Sequence, residues 1–279
     1  MKDPDCVAFL QWALPRLGHR WPGYRKVRRQ VCKRVDRRIR ELGLAGIGEY
    51  RAYLDAHDEE WATLEGLLPI TISRFFRERD VFTYLCEIAL PKLRLLATPG
   101  PVSIWSAGCA GGEEAYTLSI AAEQLGIPIR LLGTDVDEHQ LRRAAEACYS
   151  VGSLKELPSK WRDYAFDARD AKLCLRSKFR EHVEFRKQDI RREMPQGPFH
   201  LILCRYLAFT YFDRDVQREV ATQLYDRVAP GGMLVLGKHE SWPTDAPCVT
   251  AMKEGLRIYC AEKRPVSSLG ASTHSREHQ

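Results

Sequence analysis

Val27, Val31, Val35 and Ile39 recur every four residues, with Leu42 following, which predicts one apolar stripe on a helix whose other faces are almost wholly basic. Helical spacing holds from Cys6 to about Phe76, through Val7-Ala8-Phe9-Leu10 and then Tyr50, Tyr53 and Leu54, with breaks at Gly43 and Gly46-Ile47-Gly48. Residues 1–78 therefore read as a small all-α N-terminal domain. After the punctuation from Pro91 to Pro101 the pattern changes to short apolar runs alternating with helices. Val102 to Ala107 predicts a strand, Glu113 to Leu125 a helix, and Ile129 to Thr134 a second strand ending at Asp135-Val136-Asp137, with a further helix to about Cys148. Leu201 to Cys204, Met233 to Gly237 and Leu256 to Ala261 read as later strands.

Strand and helix in alternation predict an α/β domain over 79–262, with a doubly wound, mostly parallel sheet covered on both faces. Between Tyr149 and Phe185 the alternation lapses, which suggests a small insertion at about 150–185. The tail 263–279, rich in Ser, Thr, Gly and His, reads as disordered.

Composition narrows the class. Hydrophobic residues make up 44% of the 279 and charged residues 29%, so a globular protein is expected. No apolar run approaches the roughly 18 residues of a membrane span, and the start MKDPDCVAFL lacks the basic-then-apolar layout of a secretory signal; we expect a cytoplasmic protein. Nine cysteines scattered from Cys6 to Cys260, odd in number and without a C-x-x-C pair, read as reduced thiols. Among the histidines only His274 and His278 stand at a ligand-like spacing, and no metal site is expected.

The net charge of +6 is local. Residues 25–40 hold nine Lys or Arg against Asp36, a charge of +8 that leaves the remainder of the chain at −2. Such a stretch reads either as a solvated face or as a docking surface for an acidic partner. Nucleic acid is the weaker partner, because the stretch lacks interleaved aromatics for base stacking.

The chemistry concentrates after the first predicted strand. A strand, the turn Gly108-Cys109-Ala110-Gly111-Gly112, a helix and then Asp135 at the end of the next strand is the layout of a nucleoside-binding α/β fold: glycines let the backbone approach the ligand, and the acid accepts from ribose hydroxyls. A dinucleotide fits poorly. The turn does not spell G-x-G-x-x-G, and Glu113-Glu114 stand where a pyrophosphate would meet the helix N-terminus. Acids there suit a cationic nucleoside, and S-adenosylmethionine (SAM) matches that charge pattern better than NAD.

With these residues in view, the sequence resembles the CheR family of chemotaxis receptor glutamate O-methyltransferases. The likeness runs from about residue 7 to 243. It is carried by Thr71-Ile72-Ser73-Arg74-Phe75-Phe76-Arg77-Glu78, Trp105 through Tyr116, Gly133-Thr134-Asp135-Val136-Asp137, Gly197 through Arg205, Tyr211-Phe212-Asp213, and Pro230-Gly231-Gly232 leading to Gly237-Lys238-His239-Glu240-Ser241.

The resemblance implies a Rossmann-like SAM methyltransferase domain behind a helical domain whose basic helix faces an acidic receptor bundle. It places Thr71, Ser73 and Arg77 where the family has an Asn, a Thr and an Arg beside the cofactor and methyl-transfer site. Glu113 and Asp135 match its two acidic SAM contacts, Asp189-Ile190 fall on an Asn-Leu pair, and Arg205 and Tyr211 match residues beside the cofactor. Arg77 and Tyr211 are thus the catalytic candidates, and Gly108 and Tyr206 join the cofactor set. Structural alternatives stand beside these roles: Arg77 pairing with Glu78 or Asp80, Asp135 capping the next helix, Tyr211 as core, and His239 in a local structural role. The chain departs from the family where Cys-Arg-Asn reads Cys204-Arg205-Tyr206, where one extra residue precedes Tyr211, and at Thr71. Residues 164–185 also lack the glycine-rich turn of receptor-tethered members, which speaks against binding a receptor tether.

The implied reaction is displacement of the sulfonium methyl by a carboxylate oxygen, giving S-adenosylhomocysteine. A carboxyl of pKa about 4.3 is ionised at neutral pH, so no catalytic base is required, and Arg77 would orient the nucleophile. A glutamate of an acidic, receptor-like protein docked on residues 25–40 is the leading acceptor. A small-molecule acceptor, or SAM binding without turnover, remain alternatives.

Overall fold

The structure, a computed structural model, is described over residues 2–253 and 255–261. The predicted tail from 263, with His274 and His278, lies outside them. Helices α1 (Asp3–Ala13), α2 (Trp21–Tyr24), α3 (Arg28–Glu41), α4 (Ile47–Ala56) and α5 (Asp58–Gly66) close around a core of their own. The stripe read from the sequence supplies part of that core: Val31, Val35 and Ile39 are buried, while Val27 sits half-buried just before the helix, which starts at Arg28 rather than at residue 25. Part of the basic charge is used internally. Arg38 pairs with the buried Glu60, which also accepts from the Tyr50 hydroxyl. Arg34 donates to the Leu67 and Pro69 carbonyls, and Arg28 pairs with Asp3.

The helical reading to Phe76 is corrected. Helix α5 ends at Gly66, and residues 67–78 form no helix. Pro69 accounts for the stop, since proline disfavours helical backbone at the residue before it. The open segment carries Thr71, Ser73 and Arg77 past the sheet and inserts Phe75 and Phe76 into the sheet's core. Helices α6 (Arg79–Tyr84) and α7 (Leu90–Ala97) are joined through a wider π turn at Leu85–Ala89, placed just before Pro91, whose ring and missing N–H do not fit a continuous α-helix.

The α/β unit follows the expected alternation: β1 (Val102–Ala107), α8 (Glu113–Gln124), β2 (Ile129–Asp135) and α9 (Glu138–Glu146). Next come β3 (Cys148–Ser150), α10 (Ser159–Ala165), β4 (Phe166–Arg169), β5 (Lys172–Leu175) and β6 (Val183–Lys187). The chain continues through β7 (Phe199–Cys204), α11 (Ala208–Tyr211), α12 (Arg214–Arg227), β8 (Val228–Leu236), β9 (Thr250–Lys253) and β10 (Ile258–Cys260). Seven strands form one sheet in the order β6-β2-β1-β7-β8-β10-β9, parallel from β6 to β8, with β10 antiparallel to both its neighbours. This is a Rossmann-like doubly wound fold. One face of the sheet packs on α6, α7 and α8, the other on α11 and α12. The irregular stretch holds a separate antiparallel sheet, β3-β5-β4. No described helix is long and apolar enough to cross a membrane.

The reading of all cysteines as reduced thiols is also corrected. Cys6 of α1 is joined to Cys32 of α3, and Cys148 to Cys174, which face each other across the β3-β5 register. Cys86, Cys109, Cys204 and Cys248 are free thiols.

Candidate active site

The register sets Ala107 opposite Thr134 on one side and Cys204 on the other, so β1, β2 and β7 end together. Successive connections leave β1 in opposite directions, and a crevice opens at such a reversal. Gly108, Asp135 and Arg205 stand on its rim. A cavity of about 800 Å³ occupies it, walled by these strand ends, by residues 68–74 and 77 of the open segment, and by His19, Tyr24 and Lys26 of the helical unit.

The turn after β1 is built for close approach. Gly108 has φ +74°, and a Cβ there would strike the Leu207 side chain. The N–H groups of Gly108 and Cys109 both donate to the Thr134 carbonyl, at 2.8 and 2.9 Å. Asp135 Oδ2 accepts from the Ala110 N–H at 2.8 Å and Oδ1 from the Asp137 N–H at 3.0 Å. Burial pushes the Asp135 carboxyl up, and these donors work against that shift. The cap of α9 is Asp137, whose carboxylate accepts from the N–H groups of His139 and Gln140, so Asp135 is not spent on that task.

Thr71, Ser73, Arg77, Gly108, Asp135, Asp189, Ile190, Arg205, Tyr206 and Tyr211 all line the cavity. Glu113 is not among its lining residues. Its side chain is fully buried and pairs with Arg143 of α9; the acid facing the cavity is its neighbour Glu114. Glu114 accepts from the Ser106 hydroxyl at 2.8 Å and from Arg205 at 2.6 Å. Sequence reasoning also passed over Gln188, whose side chain is buried against the cavity and whose Oε1 has no hydrogen-bond partner among the described residues. A buried acceptor left open is one that a ligand donor can satisfy; its one sequence signal was adjacency to Asp189.

Asp189 is held by Arg191, with Nη2 on Oδ2 at 2.6 Å and Nε on Oδ1 at 3.1 Å. Burial opposes its charge, but the guanidinium and the Arg191 N–H outweigh that and keep the carboxyl below its usual range. The same guanidinium reaches Glu65 of α5 and so ties the sheet to the helical unit. The seam is close elsewhere. Arg20 donates to the Thr210 and Phe209 carbonyls, its own N–H bonds the Tyr211 carbonyl, and any Cβ on Gly23 would collide with the Thr210 carbonyl oxygen. Tyr211 packs 4.9 Å from the Tyr24 ring and contacts both the sheet's core and that of the helices. His19 lies in the same wall, and burial, with the Arg191 charge adding, pulls it down to about 4, so it is neutral at physiological pH.

Arg205 is buried between two carboxylates, 2.8 Å from Glu78 and 2.6 Å from Glu114, above the Phe82 ring. Burial disfavours its charge and the two acids more than restore it. Arg77 pairs with neither Glu78 nor Asp80; the first is taken by Arg205 and the Tyr206 hydroxyl, the second by Lys238. Arg77 instead donates to the Ile72 carbonyl at 2.5 Å and lies 4.2 Å from the centroid of the Tyr206 ring. Phe76, Glu78 and Tyr206 have φ of +57°, +65° and +56°. Such backbone costs a non-glycine residue roughly 1–3 kcal/mol and persists where its surroundings over-determine it.

The donor set suits a cationic nucleoside. Asp135 and Glu114 are acceptors for hydroxyl and ammonium groups, Gln188 for an amine, Ile190 and Val136 are apolar walls, and the turn of Gly108 admits close contact. Fold and site together define a SAM-dependent methyltransferase.

Comparison with known proteins narrows the class. Residues 71–255 match the family model described as CheR methyltransferase, SAM binding domain, and the chain belongs to that family. It is 29% identical over 227 residues to a chemotaxis protein methyltransferase of Salmonella typhimurium, covering 77% of this chain and 76% of that one. It is 28% identical over 222 residues to chemotaxis protein methyltransferase 2 of Pseudomonas aeruginosa, covering 76% and 78%. An uncharacterized 104.1 kDa protein of Rhodobacter capsulatus is 30% identical over 218 residues, 74% of this chain and 23% of that larger one, so the chain spans under a quarter of that relative.

Proposed function

We propose that the protein is a carboxyl O-methyltransferase acting on glutamate side chains of an acidic, receptor-like protein. The observation that carries this is the position of Arg77: its guanidinium is fixed at the cavity without a carboxylate partner of its own among the described residues. A planar fork of donors left open beside a nucleoside site is suited to a carboxylate. When bound, SAM supplies a methyl group on a positively charged sulfur, which the acceptor oxygen takes as S-adenosylhomocysteine leaves. Asp135 would hold the ribose, Glu114 the cationic end, and Gln188, Asp189 and Ile190 the base, with Thr71 and Ser73 along the open segment. Arg77 turns the acceptor carboxylate inward, and the helical wall of His19, Tyr24 and Tyr211 keeps water away. The gain is one of positioning, since the nucleophile is already ionised.

The acceptor's acidity matches the surface beside the mouth. Arg25, Lys26, Arg29 and Lys33 are exposed and enter no ion pair among the described residues, and Lys26 also lines the cavity. The chemotaxis methyltransferases it resembles support the same reading. Incubated with methyl-labelled SAM, acidic protein acceptors and poly-glutamate should take up label that mild base releases as methanol. Label found solely on small molecules, or label on protein that resists base, would overturn the proposal. Arg77→Ala should lower kcat/KM for the acceptor about 100-fold, the loss of a charged hydrogen-bonding partner, with S-adenosylhomocysteine affinity changed less than tenfold by calorimetry. Charge reversal at Arg25, Arg29 and Lys33 should raise KM for a protein acceptor at least tenfold and flatten its salt dependence. A KM equal to that of the unaltered protein would remove the basic face from the account.

A further inference from the structure

We propose that Tyr206 is a positioning residue that acts through Arg77: its ring is the platform on which the guanidinium is held and aimed at the acceptor carboxylate. The inference rests on the reading of Arg77 given above. Four separate restraints fix the ring. Its hydroxyl donates to Glu78, and that carboxylate is itself anchored by Arg205 at 2.8 Å. Its backbone N–H donates to the buried Glu240 at 2.8 Å, and Glu240 is further held by the Gly237 N–H at 2.7 Å and the Thr210 hydroxyl at 2.6 Å. Gly237 leaves the ring its space, since a Cβ there would come within 2.8 Å of two ring atoms. The left-handed backbone at φ +56° then turns the side chain back over the rim.

Such backbone is uncommon for a bulky residue, and non-glycine outliers of this kind concentrate at sites where the surroundings hold them in place. Two more such residues, Phe76 and Glu78, flank Arg77 in sequence. Arg77 is thus gripped on one side by the Ile72 carbonyl at 2.5 Å and below by the aromatic face at 4.2 Å. A guanidinium over an electron-rich ring keeps its in-plane donors open. Without the platform, Arg77 has a long, flexible stem and a single carbonyl to hold it, so the acceptor would meet a mobile cation instead of a fixed fork. A carboxylate misplaced by an ångström loses much of the advantage of positioning.

The test is a double-mutant cycle in the full-length protein with poly-glutamate as acceptor. Tyr206→Leu should lower kcat/KM for poly-glutamate about 30-fold, chiefly through KM. Tyr206→Phe, which keeps the aromatic face, should lose about threefold. Combined with Arg77→Ala, Tyr206→Leu should add nothing beyond the single Arg77 loss, because the residue works through Arg77. A merely structural role would make the two losses additive, and additivity would overturn the proposal. So would a Tyr206→Leu protein as active as wild type. Wild-type protein that transfers no methyl to poly-glutamate would bring down the functional reading and this inference together. If the wild type is active and only the coupling is absent, the inference alone falls.

Discussion

Replacing Arg205 by leucine should destabilise the protein by about 3–5 kcal/mol, because the change leaves Glu78 and Glu114, whose side chains are each 14% exposed, with their counter-ion gone. Arg205 bonds two other parts of the fold at once: the Arg77 carbonyl and Glu78 at the end of the open segment, and Glu114 at the start of α8. Denaturant midpoints of Arg205→Leu against wild type measure the loss, and a midpoint equal to that of the wild type would show that the two ion pairs add nothing to stability. Arg205→Lys keeps the charge but reaches one carboxylate at a time, and an intermediate loss is expected.

The second large effect is expected at Asp135. Asp135→Ala should weaken S-adenosylmethionine and S-adenosylhomocysteine binding roughly 100-fold, which corresponds to about 3 kcal/mol for a charged acceptor serving ligand hydroxyls. The carboxylate also accepts the Ala110 and Asp137 N–H groups, so alanine loosens the turn after β1 as well as removing the ribose acceptor. Asparagine separates the two contributions. Its one carbonyl oxygen can hold the Ala110 N–H, and a tenfold loss in Asp135→Asn against 100-fold in the alanine variant would assign the difference to the turn. Calorimetry with S-adenosylhomocysteine reads both, and undiminished affinity in Asp135→Ala would displace the nucleoside from this rim.

Much of the sheet was legible because its signals are local. β1, its turn, α8 and Asp135 follow from period and punctuation within 34 residues. The site's acids were legible only as a cluster. Adjacent residues on a helix point about 100° apart, and the sequence does not show which of Glu113 and Glu114 turns to the cavity and which to Arg143. The open segment 67–78 was hidden because its apolar residues, spaced like a helix, divide between two cores: Leu68 and Ile70 pack on that of the helices, Phe75 and Phe76 on that of the sheet. The β3-β5-β4 sheet has strands of three or four residues, too short to show alternation, and both cysteine pairs are closed by partners 26 residues apart that only tertiary packing brings together. Tyr206 showed itself in the sequence as an intruding phenol; its value as a support for Arg77 depends on Glu78 and Glu240, distant in the chain.

The seam through Gly23 and Tyr211 bears on any effort to shorten this chain. Cut after residue 66, the sheet would keep its own two cores, yet Tyr211 would lose its neighbour Tyr24 and Arg191 its partner Glu65. The truncated remnant would still look folded by its far-ultraviolet spectrum while its nucleoside site lay open along one side. Spectroscopic integrity would therefore be a poor guide to competence in this molecule, and only a ligand titration would reveal the damage.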